Sequence, residues 1–195
     1  MVSSQRRRGV FPGSFNPLTI AHLEIARRAR EEHGLDEVHL VVSTVALDKP
    51  APPGPSFEAR IALLEADAAD VDWLFVGTTA KQLIVDIAEG YDIVIMGADK
   101  WHQVNDDSYY RSTHERDAAL ARLPQVAVAP RDGLAAPEAL TMQTPTELQG
   151  VSSTLARRGR RELMAPHAAA NWKDAQVLAT EQAETTEETD EEPRP

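Results

Sequence analysis

A short apolar run that breaks into a small-residue turn and continues as a helical pattern constrains this 195-residue chain more than any other feature. The run ends at Phe11, the turn covers 12–17 (Pro-Gly-Ser-Phe-Asn-Pro), and the helical pattern carries Thr19 and His22 one turn apart. A strand, turn and helix start of this kind form a phosphate cradle, because backbone N–H groups and the helix dipole both point at the anion. His22 can supply a proton donor or a positive charge there. The stretch therefore predicts an anion-binding site.

Strand and helix patterns alternate along the rest of the chain. Strands are predicted over 8–11, 37–43, 71–76, 91–96 and 125–129. Helices are predicted from 17 or 19 to about 32, from 57 after a Ser56 cap, from 78 or 79 to Gly90, from 113 to about 123, over 155–163, and from 166 to about 172. Residues 102–111 are expected to be irregular, and an extended segment is expected at 140–142. This rhythm predicts a doubly wound, Rossmann-like parallel sheet of five strands with helices on both faces.

The two ends of the chain differ in charge from its middle. Residues 1–7 are expected to be a disordered basic start, 8–172 a single domain, and 173–195 a disordered acidic tail. The formal charge of −11 includes eight acidic residues against one arginine in 174–195, so the remainder carries only about −4. That balance gives no general attraction for nucleic acid, and an anion must be held by local geometry.

Composition excludes several kinds of chemistry. The chain has no cysteine, which removes disulfides, thiolate metal sites and a cysteine nucleophile and suits a reducing cytoplasm. No apolar run approaches the ~20 residues that span a bilayer. The basic residues 4–8 are followed by the turn rather than by the apolar core of an export signal. A soluble cytoplasmic protein that binds neither membranes nor nucleic acid is therefore expected.

Ligands of doubly wound sheets lie at the carboxyl ends of the strands. That rule selects the turn after the first strand, the Pro-rich loop that holds Lys49, and the Gly97–Trp101 stretch after the fourth strand. The dinucleotide fingerprint Gly-x-Gly-x-x-Gly does not follow the first strand, and no Gly-x-x-x-x-Gly-Lys-Ser/Thr loop occurs in the sequence. Ordinary Rossmann dehydrogenases and P-loop NTPases are thereby disfavoured.

Two segments resemble the signatures of one superfamily. Gly-Ser-Phe-Asn-Pro at 13–17, with Thr19 and His22 following, resembles the Gly-(Ser/Thr)-Phe-Asp-Pro and (His/Thr)-x-Gly-His pattern of the HIGH-motif nucleotidyltransferases. Val-Ser-Ser-Thr-Leu-Ala-Arg at 151–157 resembles their Ile-Ser-Ser-Thr-x-x-Arg motif. The two occur in the family's order, about 130 residues apart, with a doubly wound pattern between them. The chain departs from the family pattern at Asn16, where Asp is usual, and at Ala21, where Gly is usual.

Segments between the motifs resemble particular members of that superfamily. The stretches 56–60, 96–99, 123–131 and 163–166 are similar to parts of nicotinate or nicotinamide mononucleotide adenylyltransferases. Lys49 and Thr19 are more similar to phosphopantetheine adenylyltransferases. The resemblance implies transfer of a nucleotidyl group from ATP or another NTP to a phosphate-bearing acceptor, with pyrophosphate leaving and with help from Mg²⁺. Nicotinate or nicotinamide mononucleotide is the preferred acceptor.

The resemblance also implies a role for each site residue. His22 contacts the α-phosphate, Thr19 orients it, and Lys49 stabilises the acceptor or the pentacoordinate phosphorus. Arg157 acts with Ser153 and Thr154 on the leaving pyrophosphate. The nucleotide-binding residues are Gly13, Ser14, Phe15, Asn16, Gly97, Asp99, Ser152, Ser153 and Thr154. Trp101, from its position after the fourth strand, is expected to be a stacking platform for a pyridine or another base of the acceptor. No protein ligand for a metal is assigned.

Other functions remain open at this point. The chain is alternatively another adenylyl- or cytidylyltransferase, including the phosphopantetheine type. A nucleotide-binding protein that has lost catalysis is a further alternative, because Asn16 and Ala21 lie inside the first motif. A homo-oligomer is compatible with the sequence.

Overall fold

The computed structural model describes residues 6–45, 54–131 and 133–175. Five parallel strands form one sheet in these residues, in the order β3-β2-β1-β4-β5: β1 (Arg8–Pro12), β2 (Glu37–Ser43), β3 (Leu74–Thr79), β4 (Ile93–Gly97) and β5 (Gln125–Ala129). In the same residues, six helices lie between and after the strands: α1 (Ile20–His33), α2 (Phe57–Ala69), α3 (Ile84–Ile87), α4 (Ala98–Asn105), α5 (Thr113–Leu120) and α6 (Ser153–Arg157). Residues 166–175 are also helical and are named α7. The structure confirms the predicted doubly wound, Rossmann-like fold.

Local signals in the sequence fix most of the helix ends. The Ser56 hydroxyl accepts from the Ala59 N–H at 3.2 Å and caps α2, and Ser112 caps α5 in the same way. Gly34 ends α1 in the left-handed conformation, with φ of 60°, which glycine adopts at little cost. Strands β2 and β5 have the predicted bounds. These predictions are confirmed because each depends on residues next to the element's end.

Apolar side chains pack on both faces of the sheet. Phe11, Leu40 and Ile95 on one face contact a cluster completed by α1 and α2, while Val10 and Met96 on the other face belong to a cluster completed by α3 and α4. A third cluster joins α1 to the carboxyl-terminal segment through the buried residues Ala21, Val151, Ala156, Leu163, Met164, Ala168 and Trp172. The third cluster places 151–172 beside the turn that follows β1.

Several predicted boundaries are wrong. Strand β3 begins at Leu74 because residues 71–73 turn out of α2, and Thr78 and Thr79 lie within it rather than opening a helix. The helix predicted after them is reduced to the single turn α3. Residues predicted to be irregular after 101 instead continue α4 to Asn105 and form a 3₁₀ turn at Asp107–Tyr109. The predicted helix over 155–163 ends at α6, because Gly159 has φ of 104° and a separate 3₁₀ turn follows.

Smaller features complete the fold. Further 3₁₀ turns occur at Glu138–Leu140 and Thr146–Leu148. Of the extended segment expected at 140–142, Leu140 belongs to the 3₁₀ turn, whereas Thr141 forms a short bridge to Val128 and the Met142 N–H donates to the Val128 carbonyl at 2.8 Å. No helix in the three described stretches is long and apolar enough to cross a membrane.

The described residues extend slightly beyond the predicted domain at each end. Arg7 is anchored, because its N–H donates to Asp36 at 2.8 Å and its guanidinium donates to the His33 carbonyl at 2.6 Å. Helix α7 passes the predicted boundary at 172, and Ala175 is buried. Residues 1–5 and 176–195, the remainder of the predicted basic start and acidic tail, lie outside the described residues.

A buried carboxylate attaches α7 to α2, and its loss is expected to destabilise the protein. Asp67 is 4% exposed and accepts from the backbone N–H groups of His167 at 2.8 Å and Ala168 at 3.2 Å. Burial raises the pKa of this carboxyl above its ordinary value. Asp67→Ala leaves those amides at the start of α7 without an acceptor, so we expect the free energy of unfolding in urea to fall by about 1–3 kcal/mol.

Asp70→Ala is the matched control for that measurement. Asp70 contacts the His167 ring at 3.0 Å but its side chain is 72% exposed, so its loss should cost less than about 1 kcal/mol. Equal losses for the two variants would contradict the capping role of Asp67.

Candidate active site

The carboxyl ends of the strands meet where the strand order reverses, between β1 and β4. The turn after β1, the start of α1, the start of α4 and the end of β5 all lie at this edge, as expected for the switch point of a doubly wound sheet. Helix α6 joins them through contacts with the turn. The structure thus brings both sequence motifs to one place.

The turn at 13–17 is held closely by the residues around it. The Gly13 N–H donates to the Val41 carbonyl at 3.1 Å. A Cβ on Gly13 would stand 2.8 Å from the Phe15 ring, so only glycine fits beneath that ring. Phe15 itself has φ of 41°, a left-handed conformation that is uncommon outside glycine, and is buried against the rings of Phe11 and His22. Ser14 is exposed at the turn's surface.

Thr19 and His22 form a reciprocal cap at the start of α1. The Thr19 hydroxyl is 2.7 Å from His22 Nδ1, the Thr19 N–H donates to the same nitrogen at 3.1 Å, and the His22 N–H donates to the Thr19 hydroxyl at 3.4 Å. Because a backbone N–H donates to it, Nδ1 must be the unprotonated nitrogen of a neutral ring. The proton of neutral His22 is therefore on Nε2, which makes Nε2 a hydrogen-bond donor.

The electrostatic environment of His22 favours that neutral form. Burial, followed by the positive charge of Arg131, lowers the pKa of His22 to about 4, while Asp99 acts in the opposite direction. The sequence allows either a proton donor or a positive charge at His22; the geometry supports a neutral donor at neutral pH.

The second motif contacts the first directly. Ser152 caps α6 by accepting from the Leu155 N–H at 3.1 Å. The Ser153 hydroxyl donates to the Pro17 carbonyl at 2.8 Å. Arg157 donates to the Asn16 carbonyl through one nitrogen and to the Thr154 hydroxyl at 3.2 Å through another. Residues separated by about 140 positions in the chain thus form one constellation of hydroxyls, N–H groups and a cation.

Arg131 belongs to the same site and was not identified from the sequence. It follows β5, and its Nη1 donates to the Val151 carbonyl at 2.6 Å while its Nε lies 3.5 Å from the Asp99 carboxylate. A Cβ on Gly97 would stand 2.5 Å from that carboxylate, so Gly97 leaves the space that Asp99 occupies. The available signal was a cation directly after the carboxyl end of a strand, whereas Arg131 was noted only as part of a turn and as the last residue of the stretch 123–131.

A small cleft opens beside these groups. His22, Arg131, Thr144, Gln149 and Val151 contribute to its walls. Trp101 lies apart from this lining: it is partly buried and packs against the cluster under α4, so its stacking role stays a prediction. Lys49 lies outside the described residues. Within 6–45, 54–131 and 133–175, no group of three or more His, Asp or Glu residues could hold a metal ion.

Acid is expected to destabilise the fold through His22. Its ring has an ordinary pKa near 6.5 in an unfolded chain and about 4 in the fold, so between those values the unfolded chain takes up a proton that the folded chain does not. This contribution is complete above about pH 6.5 and is lost as the pH falls towards 4. Urea unfolding at pH 7 and pH 5 should show a smaller pH dependence for His22→Gln than for the unmodified chain. An identical dependence would contradict the burial of this ring.

The fold and the site define a class: a doubly wound α/β protein whose switch point carries a histidine-capped helix and a second, arginine-bearing helix start. The chain belongs to the cytidylyltransferase-like family, which it matches over residues 10–159.

Individual relatives support the assignment to this family. The chain is 31% identical over 166 residues to a probable nicotinate-nucleotide adenylyltransferase of Gluconobacter oxydans, a match that covers 80% of this chain and 77% of that protein. It is 35% identical over 97 residues to the phosphopantetheine adenylyltransferase of Dinoroseobacter shibae, covering 47% of this chain and 54% of the relative. The chain thus spans about half the length of the latter.

A solved structure agrees with the fold. The nicotinic acid mononucleotide adenylyltransferase of Plasmodium falciparum, complexed with NaAD, superposes with a TM-score of 0.59 and 13% identity. The match covers 79% of this chain and 83% of that one. At this identity the likeness concerns the fold alone.

Proposed function

We propose that this protein transfers an adenylyl group from ATP to nicotinate or nicotinamide mononucleotide and releases pyrophosphate. The observation that carries the proposal is the junction of the two motifs, in which Arg157 and Ser153 bond the carbonyls of Asn16 and Pro17 in the turn before His22. The Gluconobacter oxydans relative, matched over most of both chains, supports the mononucleotide as acceptor.

The reaction needs positioning and charge stabilisation more than it needs a base. An oxygen of the acceptor's phosphate, already ionised at neutral pH, forms a bond to the α-phosphorus of ATP. The bond from that phosphorus to the bridging oxygen of the β-phosphate breaks, and its electron pair leaves with pyrophosphate. No proton has to be removed from the nucleophile, so the protein's task is to align the two phosphates and stabilise the charge between them.

Most of the proposed roles use groups whose positions the structure describes. His22 donates from Nε2 to the α-phosphate, with Nδ1 held by Thr19. The hydroxyls and N–H groups of Ser152, Ser153 and Thr154, with the Arg157 guanidinium, bind the leaving pyrophosphate at the start of α6. Gly13, Ser14 and Phe15 contribute the turn, and Gly97 and Asp99 contact the nucleotide. The roles proposed for Lys49 and Trp101 at the acceptor follow from the sequence.

Mg²⁺ is proposed to accompany the triphosphate. Acidic side chains in the described residues do not form a cluster suited to a metal. The exposed Asp99 lies beside Arg131, and Glu24, which lines the cleft, is paired with Arg27 and Arg28. Mg²⁺ commonly retains waters and binds substrate phosphates rather than a protein cage, so the site fits an ion carried in by ATP. Such an ion would neutralise charge on the phosphates.

One screen tests the proposal. Purified protein is offered ATP or CTP with each of nicotinate mononucleotide, nicotinamide mononucleotide, 4′-phosphopantetheine, and sugar or alcohol phosphates, and pyrophosphate release is measured. We expect release with ATP and a pyridine mononucleotide. Release with 4′-phosphopantetheine would favour the second candidate, which the 35% identity to the Dinoroseobacter shibae enzyme supports. Nucleotide binding without release from any pair would overturn catalysis and leave a non-catalytic binding protein.

The compartment and the partners of the enzyme are also part of the proposal. The absence of cysteine and the small charged metabolites involved both suit a cytoplasmic enzyme, with no nucleic-acid partner. A homo-oligomer remains compatible with this function.

A further inference from the structure

The side chain of Asn16 is buried without a hydrogen-bond partner for its oxygen. The residue is 1% exposed, and its Oδ1 accepts no hydrogen bond from any described residue. Its backbone carbonyl, by contrast, is bonded by Arg157. Buried polar atoms in folded proteins are almost always paired, because an unpaired one loses its bonds to water without replacement. The Asn16 oxygen therefore has no donor among the described residues.

The amide faces away from the second motif. A Cβ added to Gly54 would stand 2.8 Å from Asn16 Oδ1 and 3.3 Å from Nδ2, so the side chain lies against the backbone just before α2. A methyl group at 54 would overlap the amide oxygen, so glycine allows the two segments to lie against each other. The turn thus has two sides: its carbonyls are bonded by Ser153 and Arg157, and its one buried amide is directed at Gly54.

We propose that Asn16 Oδ1 accepts a hydrogen bond from an uncharged hydroxyl or N–H group of the acceptor substrate, and that Asn16 thereby determines which acceptors bind. This inference rests on the proposed function, in which the α6 side of the turn binds the pyrophosphate of ATP. The Gly54 side then remains for the second substrate. A carbonyl oxygen repels phosphate oxygens, so it must be matched by a neutral donor and not by the acceptor's phosphate.

The uncharged amide also distinguishes this site from one with a carboxylate. An aspartate here would keep the accepting oxygen but add a negative charge next to the transferring phosphates. Asparagine provides the same acceptor without that repulsion. The hydrogen bond to the acceptor is consequently the property that Asn16 supplies and that an apolar side chain of similar size lacks.

Asn16→Leu is the direct test. We expect the acceptor's KM to rise by roughly 10-fold or more, because the donor on the substrate is left unpaired in the variant, while the KM for ATP changes less than about threefold. The thermal midpoint of the ligand-free variant should be equal to or higher than that of the unmodified protein, since an unsatisfied buried group is replaced by an apolar one. An unchanged acceptor KM, or equal increases for both substrates, would overturn the proposal. A clearly lower midpoint would also overturn it, because the chain itself would then be satisfying Oδ1.

Two further variants test the position of the acceptor and control for stability. Gly54→Ala places a methyl group in front of the amide and should raise the acceptor's KM in the same selective way. Asn105→Leu is the stability control, because the Asn105 Nδ2 already donates to the Trp101 carbonyl at 2.7 Å. Its thermal midpoint should fall, in contrast to Asn16→Leu. A Gly54→Ala enzyme with unchanged acceptor KM would count against the proposed position of the substrate.

Binding is measured separately from turnover so that the proposal and the function can fail independently. Thermal stabilisation of the unmodified protein and of Asn16→Leu is recorded with ATP, nicotinate mononucleotide and 4′-phosphopantetheine in turn. One of the two acceptors is expected to stabilise the unmodified protein. If Asn16→Leu is no longer stabilised by that acceptor but is still stabilised by ATP, the role of Asn16 is supported even if no pyrophosphate is released. Loss of stabilisation by ATP instead places the donor on the nucleotide and overturns the inference. No pyrophosphate from the unmodified protein overturns only the proposed function.

Discussion

Replacing His22 with alanine is expected to lower kcat by about 10²–10³-fold, the range found when one preorganised donor is removed from a developing charge. Thr19 holds the ring through Nδ1 and leaves Nε2–H as the donor, so the variant loses an interaction that strengthens as charge develops on the α-phosphate. The KM for ATP should change less than about threefold, because the other phosphates are held by the start of α6. Steady-state pyrophosphate release across an ATP series measures both quantities.

The control must separate chemistry from helix stability, since His22 also caps α1. His33→Ala lies at the other end of α1 and should leave kcat unchanged. Urea unfolding of His22→Ala should show a loss of about 1 kcal/mol from the weakened cap, too small to reduce the folded population of a stable domain appreciably. An unchanged kcat for His22→Ala would remove His22 from the mechanism.

Replacing Arg157 with alanine is expected to lower kcat/KM for ATP by roughly 100-fold or more. Burial and neighbouring Arg158 lower the pKa of Arg157 from its ordinary value, yet a guanidinium stays protonated, so a full charge is available to the leaving pyrophosphate. The same guanidinium bonds Asn16 and Thr154, which fixes its position before ATP binds. Arg157→Lys should recover only part of the loss, because an ammonium keeps the charge but not the planar fork.

Arg158→Ala provides the comparison for that measurement. Arg158 follows Arg157 directly, carries the same charge and is exposed at the end of α6. If the effect of Arg157 were only general attraction of a polyanion, the two variants would lose similar activity and the difference would vanish at high salt. We expect a large effect at 157, a small one at 158, and a difference that persists in salt.

Much of the fold could be predicted because its signals are local. Ser56 and Ser112 cap helices, Gly34 ends one, and β2 and β5 are short, mostly apolar stretches that each begin with a polar residue. Strand β3 was misplaced because residues 71–73 have strand-like side chains, but the Val71 N–H still bonds the Ala68 carbonyl at 2.9 Å and prolongs the turn out of α2. Which of these residues pair with β2 depends on tertiary contacts, and the local sequence pattern does not determine them.

The candidate site, too, could be predicted where its signals are local and not where they depend on tertiary contacts. The two motifs were identified from the sequence because their residues lie within a few positions of each other. Arg131 was missed because its significance depends on Asp99 and Val151, which reach it from other elements. The orientation of the Asn16 amide towards Gly54 was equally inaccessible, since no pattern in the sequence tells which side of a turn a buried amide faces. The second half of α4, from residue 102, was predicted to be irregular because its polar residues obscure the apolar Val104 that packs inward.

The site is closed by contacts between opposite ends of the chain, with Ser153 on Pro17 and Arg157 on Asn16. A ribosome that has finished the first β-strand and helix must still add more than a hundred residues before the second half of the site exists. Unfinished or prematurely terminated chains of this protein would therefore carry the histidine without its arginine. Competence for the reaction arises with the completion of synthesis through α6, and the closing of such long loops also makes the site one of the later parts of the molecule to form.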